Sequence, residues 1–262
     1  MTAVTDHDLF ESPKALLNWA YEDTERFKQL ERAYFSSEPY ERFVDFDPER
    51  QRDIHRVRLV DSPPAEMRKL ASHVINDLRH SLDQATFAAA SFFGWVSSRT
   101  QKVIYFPWSS GPTDLRGQLG RIPEQIHQIF FEVEPYDTRD GPSRGNDVIR
   151  QLGTLGGPNK HEVALSSQVI TSLTNMTVAE GGPQWLVPYP EKMWDSEKEH
   201  LTLIEFPTGT VSDYNADISF RIRFKDRPLL QGYAASDLLT YWGTYAQHVV
   251  QRLERRVLES AD

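Results

Sequence analysis

The chain has 262 residues, no cysteine, and 38 acidic against 29 basic side chains, for a formal net charge of -9. That length is enough to bury a substantial core, and the acidic balance removes the global attraction to phosphate backbones that a basic nucleic-acid binder has. Without cysteine there is no disulfide, no thiolate nucleophile and no cysteine-held zinc. No leader-like N-terminus and no apolar run of about 18 residues is seen, so the expectation is a cytoplasmic protein with no membrane partner.

Ser12 followed by Pro13 reads as a helix start, and Leu16, Leu17, Ala20, Phe27, Leu30 and Tyr34 continue an amphipathic helix that ends before Pro39. Between Tyr40 and Val60, Phe43, Val44 and Phe46, then Ile54, Val57 and Leu59, suggest two strands around an Asp47-Pro48 turn, with Arg56 and Arg58 on the opposite face. Ser62, Pro63 and Pro64 open a long helix from Ala65 to Phe93 that Gly94 closes. Val103 to Pro107 is read as a short extended piece, followed by loops up to Arg121 and a helix from Pro123 to Val133. A loop from Tyr136 to Gly145 leads to a short helix carrying Val148, Ile149, Leu152 and Leu155. Gly156, Gly157 and Pro158 break it, and Asn159 caps a further helical turn with Lys160, His161 and Glu162.

After Ser166 the pattern turns to strands: Val169 and Ile170 with Leu173 to Val178, then Leu201 to Phe206, and Ile218 to Phe224. A final helix from Ala235 to Leu258 carries an apolar stripe through Leu238, Trp242, Val249 and Leu253. The fold class is therefore α+β. A single domain over residues 1–262 is expected, with a helix-rich part to about residue 165 and a strand-rich part closed by the last helix beyond it, the sheet mostly antiparallel.

The long helix holds the candidate site. Met67, Leu70, Ala71, Val74, Leu78, Leu82, Ala85 and Ala89 recur at three- and four-residue steps and share one side. Asn76, Arg79, His80 and Asp83 fall within about 100° on the other, with Gln84 beside them. Arg79 and Asp83 are spaced for an ion pair worth a few tenths of a kcal/mol, which alone says little. The adjacency of Arg79 and His80 says more: a cation that holds phosphate next to a group that titrates near neutral pH suits metal-independent cleavage of a phosphodiester. Asn159, Lys160 and His161 form a second cluster after the Gly-Gly-Pro turn, which folding could bring beside the first.

Other motifs are absent. There is no phosphate loop, Gly153 to Gly157 lacks a preceding strand, no histidine pair has metal-ligand spacing, and there is no Gly-x-Ser-x-Gly elbow. Trp95, Trp108, Trp185, Trp194 and Trp242 read as core or loop anchors rather than a base-stacking platform. No metal and no cofactor is implied.

Asn76-Asp77-Leu78-Arg79-His80-Ser81-Leu82-Asp83-Gln84, then Tyr105-Phe106-Pro107, Glu134-Pro135-Tyr136 and Asn159-Lys160-His161, resemble in order and spacing a group of uncharacterised bacterial proteins. Their pattern runs from a Leu-Arg-Ser-x-Leu-Asp-His helix through Phe-Pro and Gln-Pro-Tyr to Asp-Lys-His. The likeness covers roughly residues 60 to 165. A helix with Arg, four intervening residues and then His also resembles the signature of HEPN domains, helical bundles that often act as metal-independent ribonucleases. That likeness would place the motif at a homodimer interface. Here Gln84 stands where the His belongs, and an amide does not shuttle protons near pH 7.

The resulting expectation is a bacterial protein that binds RNA or another phosphate-bearing ligand. Arg79, His80 and His161 are the candidate catalytic groups, and Asn76, Asp83, Gln84, Asn159 and Lys160 the ligand-binding ones, with binding favoured over cleavage. The competing expectation is a non-catalytic interaction protein whose polar stripe fixes helix packing. A weaker third is a metal-dependent hydrolase using His80, His161 and Asp83.

Overall fold

A computed structural model describes residues 8–137, 145–156, 165–172, 176–178, 194–195, 200–210, 212–214, 217–225, 227–230 and 232–261. A 3-10 turn at Asp8–Phe10 leads into α1 (Glu11–Ser36), β1 (Tyr40–Asp47), β2 (Arg52–Leu59), α2 (Ala65–Phe92) and α3 (Pro112–Leu119). A 3-10 turn at Glu124–Ile126 runs into α4 (His127–Val133), and α5 (Asp147–Leu155) follows. The strands are β3 (Leu165–Ser172), β4 (Met176–Val178), β5 (Trp194–Asp195), β6 (His200–Pro207), β7 (Ser212–Tyr214) and β8 (Asp217–Phe224). After a last 3-10 turn at Pro228–Leu230 comes α6 (Ala235–Leu258). The fold is α+β.

Two compact units are assembled from separated stretches of chain. One takes Met1–Lys28, Arg68–Ala164 and Phe224–Asp262; the other takes Gln29–Met67 and Leu165–Arg223. One boundary between the units falls between residues 164 and 165, but the second unit also takes in residues 29–67 and the first residues 224–262. The early hairpin goes with the later strands because its backbone groups need a ladder partner, and α6 goes with the helices.

In the helical unit the core is made by Phe27 of α1, Leu78 and Leu82 of α2, Phe130 of α4, and Trp242 and Leu253 of α6, all fully buried. The Trp242 indole N–H donates to the Val148 carbonyl at 2.8 Å and the Tyr245 hydroxyl to the Val133 carbonyl at 3.2 Å, which tie α6 to α5 and α4. Ser81 donates to the Pro13 carbonyl at 2.9 Å, joining α2 to α1, and Lys14 of α1 is ion-paired with Glu254 of α6.

In the second unit four strands pair in the order β1-β2-β6-β5, each neighbour antiparallel. Val57 lies opposite Arg42 on one side and Leu201 on the other, and the register shifts between His55 and Arg56. Val57, Leu201, Leu203, Ile204, Phe206 and Phe220 form its core, with Phe35, Tyr40 and Leu59 against it. Two further pairings, β3 with β8 and β4 with β7, complete the described strands.

Several local expectations change. The first helix begins at Glu11, not after a Ser12 cap, and the Ser12 hydroxyl instead donates to the Gln84 amide oxygen at 2.6 Å. Pro112–Leu119 is a helix where a loop was expected. Its apolar signal is only Leu115 and Leu119, the two residues it buries, and Gly117 interrupts it. Residues 104–107 lie outside any helix or strand, and among the described residues no strand pairs with them. Gly94 does close α2, with φ at +69°.

Candidate functional site

The apolar side of α2 is buried as its spacing requires: Met67, Ala71, Val74, Leu78, Leu82, Ala85 and Ala89 are each fully inaccessible. Consecutive helical residues are about 100° apart, so burial of that stripe fixes where each polar residue points. His80 and Gln84 are exposed, and Asn76, Arg79 and Asp83 are half-buried. The Arg79–His80 pair is therefore split, with the imidazole in solvent and the guanidinium stem drawn toward α5.

Arg79 lies over the C-terminal end of α5. A methyl group added at Gly156 would meet its Cδ at 2.1 Å and one terminal nitrogen at 2.9 Å. One turn back, a methyl group at Gly153 would sit 2.6 Å from Cε3 of the Trp108 ring. Two glycines three residues apart on one helix thus make the space that seats an arginine and a tryptophan. Both seated side chains carry a buried donor, Arg79 Nε and Trp108 Nε1, that has no hydrogen-bond partner among the described residues.

The ion pair expected from the spacing of Arg79 and Asp83 does not close; among the described residues no salt bridge engages either side chain. One oxygen of Asp83 instead accepts the Phe106 backbone N–H at 2.9 Å, holding the segment that follows Tyr105 onto α2. Burial pushes the Asp83 carboxyl above its ordinary pKa, against the opposing effects of that N–H, Arg79 and His80. Burial likewise lowers the Arg79 value. The charge on Asp83 opposes this and that of Arg150, on α5, adds to it. An arginine remains a cation under such a shift. Two positive groups, Arg79 and Arg150, therefore share one locality with two unsatisfied N–H donors.

Asn159, Lys160 and His161 lie outside the described residues. The motif around Glu134-Pro135-Tyr136 is a backbone junction. Glu134 closes α4 in the left-handed region with φ at +47°, and Pro135 accepts the Ser109 N–H at 3.1 Å. Tyr136 accepts the Asn146 N–H at 2.8 Å, placing Asn146 to cap α5 through Ile149 at 3.1 Å.

The sequence passed over a second polar group on α2. Asp23 of α1 approaches His73 at 3.4 Å, and half-buried Asp77 is raised in pKa by burial first and by the charge of Asp23 next, while His73 and His80 act the other way. Among the described residues no three His, Asp or Glu side chains are arranged to hold a metal ion. No described helix is long and apolar enough to cross a membrane. No family model matches the chain, and neither a curated protein nor a solved structure is significantly similar to it.

Trp108, Arg150, Gly153 and Gly156 belong to the Arg79 locality and were not legible as such. The only signal was the Gly-x-x-Gly spacing on a short amphipathic helix, which admits close approach of a neighbour but does not say which one.

Proposed function

We propose that this protein binds a phosphate-bearing ligand, RNA or a smaller molecule, through Arg79. The observation that carries the reading is the buried Arg79 Nε, which has no partner among the described residues, in a guanidinium that none of their carboxylates pairs. A buried donor left unmade costs about 1–3 kcal/mol, so such a group is retained at a cost that an anionic acceptor would offset. Arg150 supports the reading, because a second cation in the same locality is unfavourable until an anion lies between them. Trp108 Nε1 would supply a further donor.

Binding is favoured over cleavage. Gln84 is held by Ser12 and offers no titrating proton, and His80 points to solvent, away from the seat of Arg79. In the same reading the protein is a bacterial cytoplasmic one, its α2 is HEPN-like, and two copies meet as a homodimer. The absence of cysteine is what supports the compartment.

The test uses a 5′-labelled single-stranded RNA and inorganic phosphate as probes in the presence of a chelator. Wild type is expected to bind at least one probe, with affinity falling about tenfold or more in Arg79→Gln, while the RNA stays intact. Equal binding by both proteins, or none, overturns the reading, and chelator-resistant cleavage lost in Arg79→Gln would add catalysis to it.

A second reading rests on the Asp83 bond to the Phe106 backbone. That contact fixes a loop to α2, as a stripe devoted to packing would. Under it, Arg79→Gln changes the melting temperature and binds both probes as wild type does.

A further inference from the structure

A cleft of about 480 Å³ opens on the helical unit beside α2, on the side of Asp83 that carries Gln84 and Phe87. That size lies within the range of small-molecule sites, which are mostly apolar with a few convergent polar groups. Its apolar lining comes from three segments: Leu9 in the 3-10 turn and Pro13 in the first turn of α1, Phe87 and Ala88 on α2, and Ile104 and Tyr105 on the piece that Asp83 anchors. Ile104 and Ala88 are buried, whereas the Tyr105 ring is 56% exposed and free to cover a guest.

The polar groups differ in how far they are already used. The Ser12 hydroxyl donates to the Gln84 amide oxygen across the cleft wall at 2.6 Å. Asp83 gives one oxygen to the Phe106 N–H at 2.9 Å, and among the described residues no hydrogen bond or salt bridge engages the other. Arg79, the nearest cation along the helix, is seated over Gly156 and forms no ion pair with it. A desolvated carboxylate on an apolar wall is costly unless a donor meets it, and a protonated amine meets it best.

We propose that this cleft binds a small amphipathic amine, its ammonium group on the Asp83 carboxylate and its apolar body against Phe87, Ile104 and Tyr105. The site is separate from the anion locality at Arg79 and does not depend on that reading. An anionic ligand is disfavoured here by the same carboxylate. A neutral ligand of equal shape gains the apolar contacts but not the charge-assisted hydrogen bond.

The experiment uses 2-phenylethylamine, 2-phenylethanol and 3-phenylpropanoate as probes of matched shape, followed by backbone amide shifts of the whole chain. The amine is expected to bind at least about tenfold tighter than the alcohol, with the propanoate weakest and the shifts centred on residues 83–91 and 101–105. Asp83→Asn keeps an oxygen for the Phe106 N–H and should bring the amine down to the alcohol. Ser91→Phe, which fills the cleft without touching the carboxylate, should exclude both. Equal affinity for amine and alcohol in wild type overturns the proposal, as do shifts that map elsewhere or undiminished amine binding by Ser91→Phe. Should Asp83→Asn fail to fold, the wild-type ratio and Ser91→Phe decide.

Discussion

Gly153→Ala measures how closely Trp108 is seated on α5. In an ordinary helix interior the change is favourable by up to about 1 kcal/mol, because alanine restricts the unfolded chain. Here the new methyl group would stand 2.6 Å from Cε3, 2.7 Å from Cδ2 and 3.2 Å from Cγ of the Trp108 ring. Carbon atoms are content at about 3.5–4.0 Å, so the ring must retreat by roughly 1 Å. It cannot do so freely, since its centroid is 4.5 Å from that of Phe106, which in turn packs edge-on against Phe130 at 5.6 Å. Overpacking of this kind costs about 1–3 kcal/mol, leaving a net loss of up to about 2 kcal/mol after the helix gain. Thermal unfolding followed by circular dichroism should show a melting temperature lower by about 2–4 °C for each kcal/mol lost. In a Trp108→Ala background the obstacle is gone, and the same substitution should stabilise. A higher melting temperature for Gly153→Ala in the wild-type background would refute the close seating, and with it the reason for a glycine at that position.

Three further outcomes are expected. Burial raises the Asp83 pKa, so the native state holds that proton more tightly than the unfolded chain does, and the ionised carboxylate lowers stability above its folded pKa. Asp83→Asn should therefore melt higher than wild type at pH 7, with the difference vanishing once the pH falls below the unfolded carboxylate value; a wild type more stable at pH 7 would contradict this. Leu82→Ala, at a fully buried position of α2, should cost about 2–5 kcal/mol by denaturant titration. Arg50→Ala should cost less than about 1 kcal/mol in the same assay, because the arginine that meets Glu205 at 2.6 Å is itself 54% exposed.

The periodic elements were legible because their patterns are long. The buried stripe of α2 and the closing glycine at position 94 follow from spacing alone, as does α6 with its bounds at Ala235 and Leu258. So do the strands at Tyr40–Asp47 and Arg52–Leu59, set off by the Asp47 turn, whose carboxylate accepts the N–H groups of Glu49 and Arg50. What the pattern did not contain is partnership. Nothing in residues 52–59 announces that β2 will pair with residues 200–207, some 150 positions later, since alternation specifies a face and not a neighbour. The same limit governs the site. Arg79 and Asp83 have ion-pair spacing, yet each is claimed by a distant segment, Gly156 in one case and the Phe106 backbone in the other. Ser12 reads as a cap and serves instead as the donor to Gln84.

The discontinuous make-up of the helical unit bears on how the protein is made. Lys14 and its ion-pair partner Glu254 are 240 positions apart, and the residues that finish this core, Trp242 through Val257, leave the ribosome long after α1. At about 5–20 residues per second, the apolar side of α1 waits roughly 10–50 seconds for the helix that completes its unit. Folding of that unit is thereby barred until α6 has been made, and the nascent chain must be kept from aggregating for that interval.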